Sequence, residues 1–141
     1  MAKKFHLLLD SPEEMLFDQE VEQISLPTAQ GEIGIMADHT PLIALVSSGV
    51  ITVNDGQKEY FLSSGGGFIE FKNNTANIFV QSAEFADSID AERALAAAEK
   101  AKKEMAENVD EISLADATAV LERNIARLKT IEKRKRRSGT H

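Results

Sequence analysis

The sequence predicts an α+β chain, an all-β half over residues 1–86 followed by an antiparallel α-helical hairpin over 87–141. Three observations carry this. Short apolar-polar alternations, each bounded by turn residues, recur as far as Ala83. From Ile89 onward neither glycine nor proline occurs until Gly139. In the same place the apolar period changes from two residues to three or four.

The strands come first. "FHLLLD" alternates and ends at Ser11-Pro12. "VEQISLP" reads as one strand, with Val21, Gln23 and Ser25 on one side and Glu22, Ile24 and Leu26 on the other. "GVITV" runs into Asn54-Asp55-Gly56, a hairpin signal because such turns need positive φ. "KEYFLSS" returns, and "GGFIEFKNN" with "TANIFVQSA" form a further pair turning at Asn73-Asn74. Short strands at this spacing make a sandwich or a barrel.

The helices follow. "DAERALAAAEKAKKEMAEN" is built of strong helix formers, with an apolar stripe of Ala94, Leu95, Ala98, Ala101 and Met105. "NVDEI" interrupts, and Ser113 with Asp116 reads as a capping box opening a second helix. Its stripe is Leu114, Ala117, Leu121, Ile125, Leu128 and Ile131. Two short helices bury little apolar area, so the hairpin should need the sandwich, a ligand or a partner to stay in place.

Composition narrows the function. The 141 residues are 43% hydrophobic and 28% charged, with no cysteine, so disulfides and thiolate metal sites are excluded. No apolar run reaches the ~18 residues of a membrane span, and the start lacks a signal-peptide core. A water-soluble protein without direct membrane insertion is expected. The net charge of −7 is uneven: residues 1–86 hold 12 acids and 4 bases, whereas from Val120 onward 8 bases face 2 acids. No nucleic-acid partner is expected, while the basic tail suits either solvent or an acidic partner.

The candidate sites divide by spacing. "GEIGIMADHTPLI" (31–43) lacks the spacing and lysine of a phosphate loop. His39 has no nucleophile arranged beside it in sequence, leaving a packed, a contact or a catalytic histidine. His6, His39 and His141 lack ligand spacing, so no metal site is expected. "SSGGGF" (63–68) is a flexible loop or a glycine bulge. In the hairpin, Asp90 and Arg93 lie one turn apart, as do Arg123 and Arg127. A turn near Asp110 sets Arg93 opposite Arg127, so three guanidiniums with one carboxylate would meet at the open end. Such a cluster suits phosphate oxygens; the plainer reading is a helix cap beside solvated ion pairs.

Taken together, "GEIGIMADHTPLI", "SSGGGFIEF" and "IDAERA" resemble, in that order, the motifs of the epsilon subunit of bacterial F-type ATP synthases. Met36, Ala37 and Asp38 depart from the family's usual Leu-Pro-Gly, and Gly67 extends the glycine run. The resemblance implies a sandwich of about ten strands and a non-catalytic place in the rotor's central stalk. The implied partners are the gamma subunit and the c-subunit ring, met through Gly31, Glu32, His39, Pro41, Ser64, Gly65 and Gly66. In an extended form the hairpin would reach the alpha and beta subunits and inhibit ATP hydrolysis. The resemblance also implies ATP as a regulatory ligand held by Glu84, Ile89, Asp90, Arg93, Ala94, Arg123 and Arg127, with magnesium left open. The implied location is the cytoplasmic face of the bacterial plasma membrane. A free-standing nucleotide-sensing module and a sandwich enzyme using His39 are the rival readings.

Overall fold

The computed structural model describes residues 2–107 and 110–138. Ten strands form two five-stranded sheets and two helices follow, as expected. The first sheet runs β2(Met15–Val21), β1(Phe5–Asp10), β9(Thr75–Val80), β8(Gly67–Lys72), β5(Leu42–Val46). The second runs β10(Ala83–Phe85), β7(Glu59–Ser64), β6(Gly49–Asn54), β3(Gln23–Thr28), β4(Gly31–Met36). β1 and β9 pair in parallel, whereas the pairs β1–β2, β3–β4, β3–β6, β6–β7, β5–β8, β8–β9 and β7–β10 are antiparallel.

The alternation seen in the sequence fills the space between the sheets. Phe5, Leu7 and Leu9 point inward from β1, and Ile69 and Phe71 from β8. Ile24 and Leu26, with Ile51 and Val53, close the core from the second sheet. Phe5 meets Phe71 edge-on at 5.6 Å, a favourable arrangement of ring quadrupoles.

"VEQISLP" is two strands rather than one. The chain passes from the first sheet to the second at Glu22, whose N–H donates to the Asn54 carbonyl. Val21 and Ile24 both face the core although three residues apart, because the alternation restarts when the chain changes sheet. The hairpin turns use the chemistry their residues offer. Asn73 and Asn74 take φ of 51° and 55°, and Gly56 takes 99°. Asp55's carboxylate accepts the N–H of Gln57 and of Lys58, each at 2.8 Å. Those bonds hold Asp55 below the usual carboxylate range. Tyr60 is pushed up, by burial first and by Asp55 second.

"SSGGGF" is a close approach of strands. A Cβ at Gly67 would sit 1.9 Å from the Phe79 carbonyl oxygen, so no other residue fits there. Gly65 N–H donates to Ser82 O, and Gln81 N–H to Gly66 O, which ties the segment to its neighbour.

After β10 a 3-10 turn, Ala86–Ser88, leads to helix α1(Ala91–Glu107) and then α2(Glu111–Ser138). α1 buries Ala94, Ala98 and Ala101, as its stripe predicted, but Leu95 stays half exposed. α2 begins at Glu111, before the expected cap. Asp110 precedes it and accepts from the Leu114 N–H, and the Ser113 hydroxyl, inside the first turn, donates to Asp110's carboxylate. α1 packs on α2, and α2 lies on the outer face of β6 and β7. Phe61, Ser63 and Thr52 are buried beneath it. Serving two neighbours, α2 buries Ala117, Asn124, Ala126, Thr130 and Ile131, a broader face than the expected stripe, while Leu114 remains exposed.

Candidate functional site at the hairpin seam

A cavity of about 360 Å³ opens where the sandwich, the connecting turn and both helices meet. β10 contributes Glu84 and the connection contributes Ser88, Ile89 and Asp90. α1 contributes Arg93, Ala94 and Ala97, and α2 contributes Asn124 and Arg127. Six of the seven residues expected at a nucleotide site therefore share one lining.

Asp90 caps α1. Its Oδ1 accepts the Arg93 N–H at 3.2 Å and its carbonyl accepts the Ala94 N–H. This satisfies two end groups and sets a negative charge at the positive end of the helix dipole. The capped turn carries Arg93 to the cavity, where it has no ion-pair partner among the described residues. Arg127 is held from two sides. Its Nε donates to Glu84 Oε1 at 2.5 Å, and its Nη1 to Asn124 Oδ1 at 3.0 Å. Asn124 is 2% exposed and its Nδ2 donates to the Val120 carbonyl, so both ends of its amide are engaged.

Arg123 is a correction. It is exposed and outside the cavity lining, so two guanidiniums meet there rather than three. Consecutive helix positions turn by ~100°, and burying Asn124 carries Arg123 toward solvent. Sequence reasoning also missed Ser88, Ala97 and Asn124. The signal was available for two of these: Ala97 lies four residues after Arg93, and Asn124 three before Arg127, spacings that share a helix face.

The expected partner-contact residues do not form one patch. "GEIGIMADHTPLI" is β4, a turn and the start of β5, with Glu32 at the beginning of β4 and His39 in the turn past its other end, the strand rising ~3.3 Å per residue between them. Gly31, Glu32, His39 and Pro41 are exposed. Asp38 takes φ of 63°, its N–H donating to Asn74 Oδ1 and its carboxylate pairing with Lys3 at 3.2 Å. These contacts offset the strain that a glycine would have avoided there. His39's Nδ1–H donates to the Thr40 carbonyl, and its ring meets Phe71 edge-on at 5.8 Å. Ser64 is a second correction. Flanked by Gly49 of β6 and Ala83 of β10, it is buried and offers no side chain to a partner in this conformation. Gly65 and Gly66 are half-buried. His141 lies outside the described residues, and His6 lies between Asp18 at 2.6 Å and Glu20 at 3.7 Å.

The basic tail is helical to Ser138 and returns to the sandwich. Lys133 pairs with Glu32 at 3.3 Å, Arg134 with Asp87, and Arg137 with Glu59 at 3.0 Å. Its acidic counterpart in this conformation belongs to the same chain.

A ten-stranded sandwich with a helical hairpin folded against one face, and a charged cavity along the seam, defines a two-part module with its polar site between the parts. The chain belongs to the ATP synthase delta/epsilon family. The family's β-sandwich domain matches residues 4–86 and its long α-helix domain residues 87–132. The ATP synthase epsilon chain of Desulforamulus reducens is 36% identical over 132 residues, 94% of this chain and 100% of that one. That of Desulfitobacterium hafniense strain Y51 is 37% identical over 128 residues, 91% and 96% of the two chains. Among solved structures, a chain of the Euglena gracilis mitochondrial ATP synthase superposes with a TM-score of 0.76. It is 24% identical, covering 84% of this chain and 76% of that one, a likeness of fold.

Proposed function

We propose that this chain is a non-catalytic central-stalk subunit of a proton-translocating ATP synthase, on the cytoplasmic face of a bacterial plasma membrane. Its hairpin is a regulatory arm that restrains ATP hydrolysis when released and binds ATP when docked. The observation that carries the nucleotide reading is the make-up of the seam cavity. It draws on β10, the connection, α1 and α2 together, so it is complete only while the hairpin lies on the sandwich. A ligand filling it favours the docked form by its differential affinity for that form.

The donor set suits a nucleotide. Arg93 lines the cavity without an ion-pair partner among the described residues, and Arg127 is already oriented by Asn124. Glu84 and Asp90 can accept from an amine or a ribose hydroxyl. Magnesium is assigned no protein ligand. When bound, ATP supplies the negative charge that joins Arg93 of one helix to Arg127 of the other.

Partner docking fits the opposite face of the molecule. Ile43 and Leu45 on the edge strand β5 are 76% and 78% exposed, beside Phe68 and Phe79, whose rings stack at 6.0 Å. Exposed apolar residues grouped in this way mark an interaction surface. We assign it, with His39 and Pro41, to the gamma subunit, and Glu32 to the c-ring side. The alpha and beta subunits are the partners of the released hairpin.

The test is ATP titration of the full chain, followed by melting temperature and amide resonances. ATP raises the melting temperature, because it binds only the folded, docked form. Arg93→Ala and Arg127→Ala each abolish the shift, and Lys102→Ala, remote from the cavity, keeps it. If saturating ATP moves neither observable, the nucleotide reading fails and the stalk assignment stands alone.

A further inference from the structure

We infer that the C-terminal part of α2 is an electrostatic latch, closed by ion pairs to the sandwich and opened by ionic strength without any nucleotide. This goes beyond the nucleotide reading and does not depend on it.

Four cations at positions 127, 133, 134 and 137 of α2 each meet a carboxylate outside the helix. The carboxylates come from four places: Glu84 on β10, Glu32 on β4, Asp87 in the 3-10 turn and Glu59 on β7. Together they bracket the helix end along its length. The seam beneath is polar and loosely packed rather than sealed. A cavity of about 180 Å³ separates the helix end from the sheet, lined by Gln23, Thr52, Asn54, Glu32, Lys133 and Arg137 among others. The Thr52 hydroxyl is buried there with no hydrogen-bond partner among the described residues, which marks a place for water.

Apolar burial at this end rests on few side chains, with Phe61 of β7 beneath the helix and Leu128 half-buried. Of the α2 residues after Arg127, Thr130 and Ile131 are buried, and the Thr130 hydroxyl donates to its own helix at Ala126. Charge therefore decides whether the helix end lies down. The pairs are partly exposed, with at least one member of each between 23% and 37% accessible, so salt reaches them. Screening lengths fall from about 30 Å at 0.01 M to about 3 Å at 1 M salt, which brings them down to the scale of these pairs, the widest of which is 3.3 Å. A fold held by apolar burial would respond in the opposite sense or not at all.

The experiment uses the full chain without nucleotide. Because the chain has no cysteine, Gln57→Cys and Lys135→Cys place two spin labels, one on the sandwich and one on the helix end. At about 0.01 M salt a single short distance is expected, and at about 1 M a second, longer population appears. Glu32→Lys with Glu59→Lys raises the undocked-to-docked ratio about tenfold at low salt. Adding Lys133→Glu and Arg137→Glu to that variant restores the short distance, since the pairs re-form with their signs exchanged. Circular dichroism of the strands verifies that the sandwich stays folded throughout. An unchanged distance at high salt and in the double variant overturns the latch. Failure of the exchanged charges to restore docking also overturns it, because the loss would then come from local disruption.

Discussion

The sandwich and the hairpin are held by different forces. Between the sheets, Phe5, Leu7, Leu9, Ile24, Leu26 and Ile35 have no exposed surface at all. At the hairpin, α1 buries three alanines, and α2 buries Ala117, Asn124, Ala126, Thr130 and Ile131 and adds ion pairs. Burying a leucine contributes several times what an alanine contributes, because the effect follows apolar area. A strongly apolar core folds as a cooperative unit, whereas a polar, charged seam can open and close within the native state. The contrast teaches what the proposed function requires of one chain, a firmly packed mount and an arm held by weaker contacts.

Breaking the core is the largest test of this contrast. Leu7→Ala should destabilise the sandwich by about 3 kcal/mol, from lost transfer energy plus the cavity left behind. Chemical denaturation monitored on the strands measures it. A cost below about 1 kcal/mol would mean that the site collapses and that the core is looser than its burial implies.

Removing the arm should act on regulation and leave the mount intact. Deleting residues 120–141 takes away Asn124, Arg127 and the ion-paired end of α2. In the assembled enzyme, ATP hydrolysis is expected to rise several-fold while the sandwich keeps its place in the complex. Steady-state hydrolysis and co-purification check both halves. Unchanged hydrolysis would show that this arm is no inhibitor.

The smallest effect lies in one turn of the sandwich. Asp55 ionises more readily in the fold because two N–H groups donate to its carboxylate. A lowered pKa contributes stability that is present above the unfolded value of about 3.9 and is lost as pH falls through the folded value. Asp55→Asn should flatten the acid side of the stability curve in that window, read by denaturation at a series of pH values. An identical acid limb in both proteins would remove Asp55 from the account. At the alkaline end, Tyr60's raised pKa favours its neutral form, so stability from this group persists below its unfolded value and declines above it.

What the sequence showed followed local chemistry. The turns at Asn54-Asp55-Gly56 and Asn73-Asn74 were legible because positive φ selects few residues. The stripe Ala94, Ala98, Ala101 was legible because helical period fixes a face. Of the cavity, helical spacing with an antiparallel hairpin gave Asp90, Arg93 and Arg127, while Glu84, Ile89 and Ala94 came from the family resemblance. What stayed hidden depended on packing at a distance. The restart at Glu22 comes from a change of sheet, and the need for glycine at position 67 comes from the Phe79 backbone on another strand. Arg123 pointed away because Asn124, a polar residue that pattern reading leaves outside, took the buried position. The pairs of the helix end join residues 43 to 101 positions apart, and no local signal announces them.

If the proposed function holds, the hairpin opens as a unit from an intact sandwich. Native-state amide hydrogen exchange on the full chain tests it most directly, measured residue by residue at low salt, at high salt and with ATP. The amides of β1, β9 and β6 should stay protected to the global limit under all three conditions. Those of α1 and α2 should exchange faster together, faster still at high salt, and slower with ATP. Contradiction would be a single exchange free energy shared by strands and helices and indifferent to salt and nucleotide, for then mount and arm would be one rigid body.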